Sequence, residues 1–155
     1  SHSKRRSPCT PAPSFPLPRC AAFAGTAHAE NKPPVARPAE VKWGACDPKT
    51  ANDPCQINYF RGNAEKEENF GYIKVPKDLS FPPHWHIHNE NLIMIQGTLV
   101  VGAENDPMGT ALRPGDYMFV PAKWIHWAKC TEQDCVFYLN NEGADSYIDV
   151  KDKRP

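Results

Sequence analysis

The sequence predicts an all-β fold, a small barrel or sandwich preceded by a disordered, proline-rich leader. Three observations carry this expectation. Seventeen prolines and nine glycines among 155 residues punctuate the chain too often for long helices. From residue 56 onward, short apolar or alternating runs recur between turn residues, the pattern of a sandwich or barrel. The first forty residues hold eight prolines between Pro8 and Pro38, mixed with Ser, Ala and basic side chains. Such a segment buries too little apolar surface to offset its ordering entropy.

That leader, residues 1–40, precedes a single domain, residues 41–155, because the length suits one ordinary domain rather than two. Lys4–Arg6, the small-residue run Ala21 to Gly25 and Ala27-His28-Ala29 before Glu30 outline a secretory signal ending near residue 29. Pro16, Pro18 and Arg19 interrupt its apolar region. An export signal makes the domain periplasmic or secreted; without one the expectation is cytoplasmic. Lys plus Arg and Asp plus Glu each number 18. Residues 1–29 contain Lys4, Arg5, Arg6 and Arg19 and no acid, so residues 30–155 carry 14 bases against 18 acids and are mildly acidic. This balance points to neither nucleic acid nor an anionic membrane surface, and no apolar run is long enough for a membrane-spanning helix.

The strand candidates follow in order. Gln56–Phe60, Phe70–Val75, Leu92–Gln96, Thr98–Gly102, Tyr117–Val120, Ile125–Lys129 and Val136–Asn140 are each short and apolar or alternating. Met108–Leu112 and Tyr147–Val150 are weaker. Pro76, Gly97, Asn105-Asp106-Pro107, Pro114-Gly115 and Asn141-Glu142-Gly143 bound them. Only Asn63–Asn69 reads as helical, and it equally suits a solvated loop.

Cys9 and Cys20 fall in the leader; the other four cysteines form two close pairs, Cys46 with Cys55 and Cys130 with Cys135. Four cysteines allow three connectivities. Thr131-Glu132-Gln133-Asp134 reads as a hairpin loop between two strands, which sets Cys130 opposite Cys135 within disulfide reach. Cys46 and Cys55 bracket a turn-rich loop containing Asp47-Pro48 and Asp53-Pro54. Local pairing favours an oxidising compartment; four reduced thiols are the alternative.

The chemistry concentrates in His84-Trp85-His86-Ile87-His88-Asn89-Glu90. On an extended chain residues 84, 86, 88 and 90 project to one face. Neutral imidazoles supply nitrogen lone pairs and a carboxylate offsets charge, which is what a first-row divalent metal needs. His126, distant in sequence, reaches this cluster only if a barrel interior brings two strands together.

These intervals resemble the two motifs of the cupin superfamily. His84-x-His86-x3-Glu90-x6-Gly97 fits the later part of the first motif, with Asp78 where a leading glycine is expected. Gly115-x5-Pro121-x4-His126 fits the second, with Lys123 in place of Gly and Cys130 in place of Asn. Seventeen residues separate the motifs, as in compact single-domain cupins. The resemblance spans roughly Gln56 to Val150. More loosely, the stretches around His84 and His126 and the ending Ser146–Val150 look like exported bacterial cupins.

The resemblance implies a small cupin jelly-roll β-barrel holding one divalent transition metal (Mn, Fe, Ni, Zn or Cu) through His84, His86, Glu90 and His126. His88 is expected at the barrel mouth or in hydrogen-bonding support of a ligand. Met94, Phe119, Trp124 and Phe137 are pocket candidates, and alternation puts about half of such residues inward. Which of the faces carrying Phe137 or Tyr138 is internal cannot be read from residue type. Glu90 is the candidate catalytic group, bound or loosening to act as a base. The leading expectation is a metal-dependent enzyme acting on a small oxygen-rich molecule. Dioxygenase chemistry comes ahead of isomerase or lyase chemistry, because three His and one Glu suit iron, manganese or nickel. The rival is a cupin that binds or senses a small ligand without turnover. The resemblance is also compatible with a homodimer.

Overall fold

The computed structural model describes residues 34–155; the signal-like segment and Cys9 and Cys20 lie outside them. Nine strands form the domain: β1 (Gly44–Ala45), β2 (Gln56–Gly62), β3 (Asn69–Val75), β4 (Ser80–Trp85), β5 (Glu90–Ala103), β6 (Thr110–Leu112), β7 (Tyr117–Val120), β8 (His126–Asn141) and β9 (Ile148–Asp149). No helix occurs among the described residues. Asn63–Asn69 makes only one turn. The Asn63 carbonyl accepts from Lys66 and Glu67, and its side chain accepts from the Glu65 N–H. The Asn63 side chain thereby offers the backbone a local partner, and one turn is too short to propagate as a helix.

Two long strands organise the barrel. β5 and β8 pair antiparallel from Glu90↔Asn141 to Ala103↔His126. The end of β8 also pairs β3, from Val75↔Cys135 to Asn69↔Asn141, and its beginning pairs β4 at His84↔His126 and Ser80↔Lys129. One half of the sheet therefore runs β1-β2-β3-β8-β5-β7, and the other β9-β4-β8-β5-β6. Both halves bury their inner faces in one core, which includes Leu92 and Met94 from one and Leu99 and Val101 from the other.

The sequence suggests two strands on each side of Gly97 and of residues 131–134; the structure has one bent strand in each case. Gly97 adopts φ +80°, and the β5–β8 register shifts on both sides of it. Opposite, Thr131 pairs Thr98 and Val136 pairs Gln96, so residues 132–135 of a continuous β8 have no partner on β5, and Cys135 pairs Val75 of β3 instead. The 131–134 stretch is thus no hairpin loop, and the Cys130–Cys135 disulfide, with 5.9 Å between its Cα atoms, closes the neck of this bulge. An extra residue in a ladder exchanges inner and outer faces. Before the bend β5 buries Glu90, Leu92 and Met94; after it Leu99 and Val101. On β8, His126, Ala128 and Cys130 give way to Cys135, Phe137 and Leu139. Phe137 is therefore internal, and Tyr138 packs outside against Phe60 and Phe70.

The second disulfide, Cys46–Cys55, has 5.3 Å between its Cα atoms and ties the loop after β1 to the start of β2. Asp47 and Asp53 shape that loop by accepting N–H bonds from Lys49, Asp47 and Cys55. At two positions where the cupin motifs place glycine, the backbone keeps the left-handed conformation without one: φ is +68° at Asp78 and +65° at Lys123. Both turns hold the barrel closed. Asp78 donates its N–H to the Cys130 carbonyl and Lys123 donates to the His86 carbonyl.

Candidate metal centre

His84 is the penultimate residue of β4 and His126 begins β8, in direct register. Their rings lie 4.3 Å apart, centroid to centroid. The extended run anticipated through Glu90 stops at Trp85, and residues 86–89 form a bend before β5. His86 nonetheless turns inward, its ring 5.0 Å from that of His84 and 5.3 Å from that of His126. One ring nitrogen from each of the three lies within 4.8 Å of the others. All three imidazoles are buried.

The Nδ1 atoms are taken up by backbone carbonyls: His84 with Pro82 at 2.7 Å, His126 with Trp124 at 3.0 Å, and His86 with Ser146. A carbonyl only accepts, so each Nδ1 carries the proton and each Nε2 offers a lone pair. Burial keeps the rings neutral. Desolvation, then the neighbouring His126 and His86, pushes His84 down to about 3. Desolvation and His126 push His86 down to about 4, and desolvation lowers His126.

Glu90 opens β5 with its Oε2 3.3 Å from His86 Nε2. It flanks the three imidazoles rather than joining their tight group. Burial, with a contribution from Asp145, raises its pKa to about 8. Without a cation, burial favours the neutral carboxyl. A divalent charge at the imidazoles favours the carboxylate instead. The donor set therefore fits a divalent first-row metal: three neutral, backbone-oriented imidazoles with an ionisable carboxyl beside them.

His88 lies away from this group, with its ring against Gly143. Trp124 stacks on His126 at 5.0 Å and 12°. Phe137 and Met94 both belong to the core, and of the two only Phe137 also lines the cavity. Phe119 is 46% exposed on the outer face of β7, because Met118 and Val120 take the inner positions. Four-residue β7 offers two equally apolar faces, so alternation alone does not choose between them. The cavity measures about 1390 Å³. Apolar side chains such as Leu92, Leu99, Val101, Val120 and Leu139 form much of its wall.

Sequence reasoning missed a contribution from three consecutive residues after β8. Asp145 accepts the Tyr59 hydroxyl at 2.7 Å. The Ser146 carbonyl holds His86, and its hydroxyl accepts the Ile87 N–H at 2.8 Å. Tyr147 stacks on His84 at 4.2 Å and 20°. β9 anchors this segment by pairing with β4, and the Trp85 indole donates to the Lys153 carbonyl. The only signal in the sequence was a short apolar run at Tyr147–Val150, which says nothing about orientation.

A bent jelly-roll barrel with three inward imidazoles and a flanking carboxyl is the architecture of a cupin. Residues 32–144 match the ChrR cupin-like domain family, and the chain belongs to that family. No curated protein matches it in sequence. Among solved structures it is similar to the polyketide cyclase RemF from Streptomyces resistomycificus, with 15% identity, 76% of this chain and 84% of that one covered, and a TM-score of 0.61. An RmlC-like cupin from Ralstonia eutropha JMP134 gives 19%, 77%, 74% and 0.61 in the same order. The DMSP lyase DddQ from Ruegeria pomeroyi DSS-3 gives 18%, 76%, 64% and 0.58. At these identities the likeness concerns the fold.

Proposed function

We propose that this cupin is a metal-dependent enzyme acting on a small, oxygen-bearing organic molecule, with Glu90 as its proton-transfer group. The observation that carries this is the junction of three neutral Nε2 lone pairs with a buried carboxyl, at the end of a largely apolar cavity. His84, His86 and His126 would hold the metal, with Glu90 as fourth ligand or neighbour. When bound, the metal supplies a Lewis acid that polarises a substrate oxygen. Glu90 accepts a proton from the substrate; Ser146 and the Pro82 and Trp124 carbonyls keep the imidazoles aimed. The apolar wall excludes water and takes the carbon skeleton.

Proton removal beside a polarised oxygen serves lyase, isomerase and cyclase chemistry, and two of the similar structures are a lyase and a cyclase. Dioxygenase chemistry is the second reading, favoured by the donor set of three His and one Glu. A ligand-binding cupin without turnover is the rival of both. The two disulfides support an oxidising, periplasmic or secreted setting.

The test begins with elemental analysis of protein purified without added metal. Activity assays on catechols, flavonols and diketones follow, with and without oxygen. Metal-dependent turnover in the absence of oxygen supports proton-transfer chemistry, and matched oxygen uptake supports the dioxygenase. Ligand-induced stabilisation without product in either atmosphere contradicts both and leaves the binder.

A further inference from the structure

Two of the three imidazoles are placed by strand pairing and the third is not. His84 and His126 face each other across the β4–β8 register. His86 lies past the end of β4, in the 86–89 bend, and no strand pairing among the described residues sets its distance from the other two. Bonds from two neighbouring segments set it instead. From the turn before His126, Lys123 donates its N–H to the His86 carbonyl at 2.8 Å. From the segment after β8, the Ser146 carbonyl holds the His86 ring, and the Ser146 hydroxyl accepts the Ile87 N–H.

Asn89 joins all three segments. Its Oδ1 accepts the Ala122 N–H at 2.8 Å, and its Nδ2 donates to Glu142 Oε2 at 2.8 Å. Its own carbonyl accepts the Glu142 N–H at 2.9 Å. The Asn91 amide holds the other Glu142 oxygen at 3.1 Å, so the carboxylate is gripped from both sides. Asparagine suits this junction because one short planar group offers an acceptor and a donor together. Asn89 and Ala122 are half-buried and Glu142 is exposed. Water can therefore take the place of the bonds lost on truncation, and Asn89→Ala should still fold.

We propose that Asn89 is a positioning residue of the metal centre. Its side chain clasps the bend carrying His86 to the turn before His126 and to the Glu142–Ser146 segment that orients the His86 ring. It acts through His86 and contacts neither metal nor substrate. This rests on the metal-dependent reading above and adds a residue outside the donor set on which the donor geometry depends.

The probe is Co2+, a divalent first-row ion whose visible spectrum reports the geometry of its donors. It is titrated into the metal-free full chain. Asn89→Ala should lower its affinity about tenfold and change the spectrum of the loaded protein. Asn89→Asp keeps the acceptor for Ala122 but sets a second carboxylate against Glu142, and their repulsion opens the clasp. The added negative charge by itself attracts a cation, so a loss of affinity in this variant reports geometry rather than charge. Adding Glu142→Gln to Asn89→Asp restores a donor and an acceptor with the roles exchanged, and leaves an amide oxygen for Asn91. The double variant should return to within about threefold of the unaltered protein's affinity and recover its spectrum. A role confined to folding would lower the melting temperature of Asn89→Ala and leave the Co2+ spectrum unchanged. That outcome, affinities within about twofold of the unaltered protein in both single variants, or no recovery in the double variant would each overturn the clasp. Failure of the unaltered protein to bind Co2+ at all would overturn the metal-dependent reading, and the clasp with it.

Discussion

The two ends of the cavity are built differently. At its floor, His84 and His126 face each other across a β4–β8 register, and the Cys130–Cys135 disulfide lies fully buried in the same strand. A second part of its lining, the rim, is the Cys46–Cys55 loop, where β1 contributes only two paired residues. Strand register fixes side chains through many shared backbone bonds, whereas a loop depends on a few local ones. The floor can therefore hold a reactive centre rigidly while the rim is free to define what enters.

The two disulfides give the largest expected contrast. Chain-entropy considerations assign roughly 2–3 kcal/mol to each, because both close short loops. The core pair adds a packing term. Cys130 and Cys135 are both 0% exposed and belong to the main apolar cluster; Cys55 belongs to it too, but its partner Cys46 is only partly buried. Replacing both by Ser places two hydroxyls where sulfur packs, raising the expected loss to about 3–5 kcal/mol. Replacing Cys46 and Cys55 by Ser should cost less, about 2–3 kcal/mol, and should alter ligand affinity more than metal affinity. Urea denaturation of the two double variants measures the difference. Equal losses would show that the bulge in β8 is no more dependent on its bridge than the rim is.

A smaller effect separates the ends by function. His126→Ala removes one of three converging nitrogen donors, and metal affinity should fall about 10–100-fold. Beside the imidazoles, Tyr147→Phe keeps the ring that stacks on His84 and should leave metal affinity within about twofold. Competition against a chelator of known affinity reads both. An unchanged affinity in His126→Ala would remove this residue from the ligand set.

Much of the floor was legible in the sequence and little of the rim. His84, His86, Glu90 and His126 stood out because two motifs fall in order at a workable separation. The strands around them were legible from short apolar runs between turn residues. Less legible were the bends. Nothing in the residues around Gly97 or in 131–134 distinguishes a chain reversal from a bulge in a continuing strand; only the partner strand does. That bend exchanges inner and outer faces, so the orientation of Phe137 was out of reach as well. Asp78 and Lys123 show the converse. Both replace a motif glycine yet retain its positive φ, so neighbouring bonds to Cys130 and His86 fix the turn against the residues' own preference. The contributions of Asp145, Ser146 and Tyr147 were not legible, because the short apolar run at Tyr147–Val150 says nothing about where β9 docks.

The mildest expected effect is a pH dependence whose sign differs between floor groups. The buried imidazoles have folded pKa values below the unfolded one, to about 3 for His84 and about 4 for His86. In acid the unfolded chain binds the additional protons, so stability is lost as pH falls below about 6.5. Glu90 is displaced in the opposite direction, to about 8. The folded protein holds that proton and the unfolded chain releases it above its ordinary value of 4.5, so this group lowers metal-free stability as pH rises from there to about 8; below about 6.5 the imidazoles outweigh it, and above that the decline shows, by on the order of 1 kcal/mol. The metal-free protein should therefore be most stable near pH 6–7. Glu90→Gln cannot ionise and should abolish the alkaline decline while leaving the acid one. Metal should abolish it too, because a nearby divalent charge stabilises the carboxylate that forms. Thermal melts of the metal-free, metal-loaded and Glu90→Gln proteins across this range provide the comparison. An alkaline decline that persists in Glu90→Gln would assign it elsewhere in the barrel and deprive Glu90 of its place as the proton-holding group at the floor.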